Sequence, residues 1–396
     1  MWGNLSMKMD KYIVTTIIFI AIISIVGVTT FWNNRSEFAD ILKNGDVINK
    51  INQIYSENVA FSDEFINLWS ETQVLSKAKL LDDAEYGVII KDSNENLHFP
   101  AADVDVSKYA QDTVNFANFL ESKNVPFLYI QAPNKDLEGY TEEIVGEYNF
   151  SNKNANEFLE KLKADDVNAL DLRELIINED LDRSKMFYKT DHHWTTPTAF
   201  WAYNKIVLHL NSEFSLNIDQ NNFYTNIKNY KTQFIENCYL GSLGRRVGEA
   251  VSGLDDYTFI EPNFETNYKI YNGLVSREEV IFDGDFRKAI VKENILMNSD
   301  VTSNKHATYF EWDYGNLIIK NTAIDNELKI LLVKDSFALP VGAFLSTCVS
   351  ELHMVDLREV PPVNLKEYVE KNEFDAVMVM YNTEIFNDTM FNFGDI

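Results

Sequence analysis

Leu328-Lys329-Ile330-Leu331-Leu332-Val333-Lys334-Asp335-Ser336-Phe337 is the stretch whose reading decides the fold. The apolar run 328–333 is too short for a core helix and reads as a strand buried on both faces. A helical pattern follows at 339–349, so Ser336 falls on a tight strand-to-helix turn. Working outward, strands are expected at 126–130, 167–172, 351–357 and 375–381. Helices are expected at 104–124, 154–164, 195–214 and 364–372, with Thr196 capping the third of these and Pro197 in its first turn. Strands alternating with helices predict an α/β fold with a mostly parallel sheet covered on both faces. The ligand site of such a sheet lies beyond the C-terminal strand ends. Residues 86–90 are also strand-like and run into a turn at Asp92-Ser93-Asn94. Residues 215–325 differ: short alternating runs such as Tyr268-Lys269-Ile270-Tyr271 predict an insertion of β-hairpins.

The N-terminal part is of another kind. Residues 12–31 carry no charge, and a helix of 20 residues rises about 30 Å, enough to cross a bilayer core. Lys8 and Lys11 precede it, which places a short N-terminus (1–11) in the cytoplasm and the rest outside. The run ends in Thr29-Thr30-Phe31-Trp32, a poor cleavage site, so an uncleaved single-pass anchor over 12–32 is preferred to a signal peptide. A membrane-proximal segment (33–80) then leads to the main domain (81–396). With 35 Lys+Arg against 61 Asp+Glu, the net charge of −26 repels phosphate backbones and argues against nucleic acid as a partner. The two cysteines, Cys238 and Cys348, show no metal spacing; a disulfide or two free thiols both fit.

Three segments carry candidate chemistry. Ser336 on its turn has the exposure a nucleophile needs, beside helix N-terminal N–H groups that suit an oxyanion; a plain helix cap is the simpler alternative. Serine needs a general base, and Asp191-His192-His193-Trp194-Thr195 supplies His193 with Asp191 two residues away to orient it. The adjacent histidines also allow a metal site, but there is no HExxH and no second His cluster, so no metal or cofactor is expected. Ser93, in a polar turn, is read as hairpin chemistry. The loop Tyr239-Leu240-Gly241-Ser242-Leu243-Gly244-Arg245-Arg246 has glycines that permit close approach to a ligand and arginines suited to an acidic group. Asn382 ends the last strand at the same sheet edge and is a candidate oxyanion donor.

Taken together, Tyr188-Lys189-Thr190-Asp191-His192-His193-Trp194-Thr195 and, about 140 residues on, Asp335-Ser336-Phe337 resemble the DHHW family. These are SGNH-hydrolase-like proteins related to AlgX/AlgJ-type alginate O-acetylation proteins. The resemblance covers residues 80 to the end and implies an SGNH-like α/β/α sandwich. It implies Ser336 as nucleophile, His193 as base and Asp191 as its orienter. It also implies acetyl chemistry on exported polysaccharide at the bacterial cell surface, beside a membrane-bound O-acyltransferase that supplies acetyl groups. Trp194, Arg245, Arg246 and Asn382 are expected at the substrate. The alternative is a non-catalytic polysaccharide-binding or scaffold protein. Lys334 stands where the usual block has Gly, which would put a cationic chain beside the nucleophile.

Overall fold

A computed structural model describes residues 11–36, 59–83, 85–137, 139–359 and 363–394. The chain divides into two compact units, Met1–Leu75 and Ser76–Ile396. In the first, the helix Lys11–Asn33 contains a 20-residue span, Val14–Asn33, long and apolar enough to cross a membrane. Most of the side chains of that span, among them Ile18, Ile23 and Val28, are exposed, and Thr30 is buried. A second helix covers Ser62–Ser76. The expected cytoplasmic tail and much of the membrane-proximal segment fall on 1–10 and 37–58, outside the described residues.

The second unit is built on an eight-stranded sheet. Its strands are β4 (Phe127–Gln131), β5 (Ala169–Asp171), β8 (Tyr268–Asn272), β9 (Val280–Gly284), β10 (Asn316–Asn321), β11 (Lys329–Lys334), β12 (Glu351–Val355) and β13 (Ala376–Tyr381). They run in the order β5-β4-β13-β11-β12-β10-β8-β9. The first five are mutually parallel, and β10, β8 and β9 add antiparallel. The inserted segment is therefore only partly separate. Three of its strands extend the main sheet, because Ile318 and its neighbours find the β12 edge open and apolar. Only β6 (Tyr230–Tyr239) and β7 (Asp255–Pro262) form a hairpin of their own.

The central strand shows why the sheet is buried on both sides. Successive side chains point to opposite faces. Ile330 and Leu332 join one core with Met378, Met380 and Ile130; Leu331 and Val333 join the other with Val377, Val379 and Tyr129. The helices Thr196–Phe214 and Ala338–Leu345 cover the first face, and Ser107–Ser122, Ser151–Ala164 and Leu365–Asn372 cover the second. Element ends lie within a few residues of the expected ones. The N-cap of Thr196–Phe214 is Thr195 rather than Thr196, and its hydroxyl bonds Lys185 O instead of a helix N–H.

The strand expected near residue 86 is not part of this sheet. β1 (Leu80–Asp83), β2 (Gly87–Lys91) and β3 (Leu97–His98) form a small antiparallel sheet. Leu81, Ile89 and Leu97 pack on Leu243, Val247 and Val251, so this sheet backs two short helices, Ser242–Val247 and Glu249–Ser252, into which the glycine-containing segment after β6 folds.

Candidate active site

β11 leads directly into the turn that carries Ser336. Asp335 is fully buried, and its carboxylate accepts Phe337 N–H at 2.9 Å, Asn382 N–H at 2.6 Å and the Asn382 side-chain amide at 2.7 Å. Burial pushes its pKa up to about 6, against the pull of the Asn382 N–H and the Arg358 charge. Asp335 thus shapes the turn. Asn382, expected as an oxyanion donor, holds Asp335 instead. Ser336 is partly exposed, and its N–H makes no hydrogen bond among the described residues.

Residues 188–195 bring the base to that turn. His193 Nε2 lies 2.7 Å from Ser336 Oγ, and His193 Nδ1 lies 2.6 Å from Asp191 Oδ1. The expected serine, histidine and aspartate therefore meet in one unbroken chain. Asp191 also accepts His193 N–H at 3.0 Å, Tyr239 O–H at 2.8 Å and Ser242 N–H at 2.7 Å. Burial opposes its ionisation, but the neighbouring imidazoles and the Ser242 N–H hold its pKa well below the usual carboxylate range. Burial, reinforced by the adjacent His192 and His306, holds His193 well below the usual imidazole value. The base is neutral near pH 7, with its Nδ1–H toward Asp191 and Nε2 free to accept from serine.

The loop carrying Asp191 is tied down from several sides. The Lys135 ammonium donates to the carbonyls of Tyr188, Lys189 and Asp191 at 2.7–3.1 Å. The Asp255 carboxylate accepts Lys189 N–H, Thr190 N–H and the Thr190 hydroxyl. Gly241 presses so close that an added Cβ would sit 2.3 Å from Asp191 Cβ. The glycines expected to let a ligand come close thus approach the loop that carries Thr190 and Asp191.

The expected substrate contacts fare differently. Trp194 is fully buried and donates its indole N–H to Phe337 O at 3.0 Å. It braces base loop and nucleophile turn against each other and has no face left for a sugar. Arg246 pairs with Asp83 and Glu85 and covers Tyr86, so it holds protein, while Arg245 is exposed and reaches Thr302 O at 3.3 Å. Lys334 is buried and paired with Asp313 and Asp356, so its charge is neutralised within the fold. Ser93 sits in the β2–β3 turn, which Asp92 N–H to Asn96 O at 3.0 Å closes, and its own N–H bonds the Glu142 carboxylate from a distant segment. Cys238 and Cys348 are free thiols.

His306 went unnoticed in the sequence. Its ring stacks on His193 at 3.6 Å between centroids and 11° between planes, and Nε2 donates to Ser336 O at 2.8 Å. The His192 ring also lies against His193, 3.8 Å between centroids and tilted by 37°. The count of six histidines was the sole available hint. Asp191, His192 and His193 bring three ligand atoms within 4.8 Å, a spacing open to a metal. Yet His193 Nδ1 and both Asp191 oxygens are engaged in hydrogen bonds, and His192 Nδ1 lies 3.0 Å from Ser242 Oγ.

Residues 93–244 match the family model of the SGNH hydrolase-like domain of acetyltransferase AlgX. Over these residues, less than half of the chain, it is similar to an SGNH hydrolase-like domain of the AlgX type. The match includes Asp191 and His193 and ends before Ser336. No curated protein matches the chain. Among solved structures, PatB1 of Bacillus cereus with a sulfonyl adduct is similar at a TM-score of 0.63 and 20% identity, over 78% of this chain and 98% of that one. A DHHW family protein from Eubacterium siraeum is similar at a TM-score of 0.58 and 17% identity, over 77% and 94%. These likenesses show that the SGNH-like domain shares their fold.

Proposed function

We propose that the chain is a membrane-anchored O-acetyltransferase or acetylesterase acting on exported or cell-surface polysaccharide outside the cytoplasm. The observation that carries this reading is the Asp191–His193–Ser336 relay at 2.6 and 2.7 Å. His193 Nε2 takes the Ser336 proton as Oγ attacks an acetyl carbonyl. Asp191 stabilises the imidazolium that results. The Ser336 N–H, which has no other acceptor among the described residues, is available to the oxyanion. The imidazolium then gives its proton to the leaving alkoxide, and the acetyl group stays on Ser336. A sugar hydroxyl or water, deprotonated by His193, attacks the acetyl-enzyme and restores the serine.

The helix Lys11–Asn33 would anchor the domain at the membrane, with Lys8 and Lys11 on the cytoplasmic side. A membrane-bound O-acyltransferase that hands acetyl groups across would be its supplier. The domain limits 12–32 and 81–396 follow the same reading.

The test is p-nitrophenyl acetate turnover by the full chain in detergent, together with labelling by a sulfonyl fluoride. Parent protein should turn over the ester and gain the sulfonyl mass. Ser336→Ala and His193→Ala should lose turnover, and Ser336→Ala should lose the label. Equal turnover in parent and Ser336→Ala would remove the triad. Glycan binding without any turnover would point to a scaffold.

A further inference from the structure

Of the aromatic groups near the triad, Phe99 lies edge-on to His192 and Tyr86 stacks on Phe99. Tyr86 has Phe99 stacked at 5.0 Å on one side and the Arg246 guanidinium at 4.8 Å on the other. Trp312 differs. It is 56% exposed, and among the described residues its one ring contact is Tyr314, tilted by 39° at 5.2 Å.

Topology puts Trp312 at the edge of the sheet that carries Ser336. It lies just before β10, whose Asn316 pairs with Val355 at the end of β12. β12 is the parallel neighbour of β11, so the residues after Val355 and the turn after Lys334 leave the sheet at the same edge. Side chains join the two. Asp313, next to Trp312, pairs with Lys334 and with Arg358, and Arg358 is held by Asp356 at 2.6 Å. His306, bonded to Ser336 O, belongs to the same segment six positions before Trp312.

The backbone here is unusual. Phe310 and Glu311 have φ of +67° and +78°, consecutive non-glycine residues in the left-handed region. Such conformations persist where surrounding structure holds them, and they cluster at functional sites. Phe310 is fully buried, and its N–H bonds Ile290 O at 2.9 Å. The strained pair is thus pinned, and the next residue projects an indole into solvent.

We propose that Trp312 is the stacking platform of an acceptor-sugar subsite, with Arg358 beside it as a donor to ring hydroxyls. The ligand class is a pyranose ring of an uncharged or weakly charged oligosaccharide. The positive charges of Lys334 and Arg358 are matched by Asp313 and Asp356, so the subsite adds no net attraction for an anion. The Arg358 Nη1 has no partner among the described residues. Aromatic faces supply much of the energy at such exposed contacts.

This inference rests on the acyl-transfer reading, and its test separates the two. Cellohexaose and chitohexaose are titrated calorimetrically into the full chain in detergent, and p-nitrophenyl acetate turnover is measured alongside. At least one hexamer should bind, and Trp312→Ala should weaken that binding by about tenfold or more, whereas Trp312→Tyr, which keeps a ring face, should stay within about threefold. Ester turnover by Trp312→Ala should stay within about twofold of parent, because the small ester needs no sugar subsite. Failure of the parent to bind either hexamer, unchanged binding in Trp312→Ala, or loss of its ester turnover would each overturn the proposal. Ser336→Ala should bind the hexamer normally. If it also keeps ester turnover, the acyl-enzyme reading fails while the subsite stands.

Discussion

Gly241→Ala offers the sharpest check on how the loop carrying Asp191 is held and on the acyl-transfer role proposed for it. A Cβ at position 241 would lie 2.3 Å from Asp191 Cβ and 2.7 Å from its Cα and N. Carbon atoms in contact prefer a separation of about 3.5 Å or more, so something must move by about 1.2 Å. Neither side yields easily. Gly241 N–H bonds the Thr190 hydroxyl at 2.7 Å, and Ser242 N–H bonds Asp191 at 2.7 Å. Asp191 is tied to His193 and, through its own carbonyl, to Lys135. A displacement of about 1 Å in a catalytic group costs about a hundredfold in rate, and that is the expected loss in kcat/KM for p-nitrophenyl acetate. Overpacking should also cost about 1–3 kcal/mol of stability. Gly253→Ala is the control. Gly253 has φ of +67° with open space where a Cβ would go. That variant should lose about 1 kcal/mol from strain with no change in kcat/KM. Gly241→Ala at more than a third of parental kcat/KM would refute the idea that this loop clamps Asp191.

Three further outcomes follow from the same geometry. Because burial holds His193 well below the usual imidazole pKa, the base stays neutral into mildly acid solution. The acid limb of kcat/KM should therefore fall below pH 6.5, and a limb centred at or above 6.5 would contradict this. His306→Phe keeps a ring against His193 but loses the bond to Ser336 O. A hydrogen bond of about 0.5–1.5 kcal/mol predicts a drop in kcat of about two- to tenfold, relieved in His306→Gln if the amide reaches the carbonyl. His98 lies between Asp136 at 2.5 Å and Asp92 at 3.2 Å. Burial opposes its charge, but Asp136 and Asp92 raise its pKa to about 9. Its stabilising contribution is full below the unfolded value of 6.5 and is lost as pH rises through about 9. The melting midpoint should fall across that window in the parent and less steeply in His98→Gln; identical slopes would count against the charged triad of side chains.

Much of this protein was legible along the chain. The span 12–31 could be read because an uncharged apolar helix needs no tertiary context. The parallel strands were legible because burial on both faces leaves continuous apolar runs such as 330–333. Asp191, His193 and Ser336 were legible through their motifs and their places before a helix and after a strand. The sequence could not say that β8, β9 and β10 would join the main sheet, because an alternating strand pairs equally well with any open edge. Nor could it show the second layer of the site. Lys135, Tyr239, Asp255 and His306 reach the triad or the loop that carries it from distant segments, each as one side chain, and one side chain leaves no periodic trace. Asn382 and Trp194 were noticed, but their roles depend on which neighbour reaches them first. Local pattern is decided by backbone geometry and solvent, which act over a few residues; partnership is decided by packing, which exists only once the chain has closed on itself.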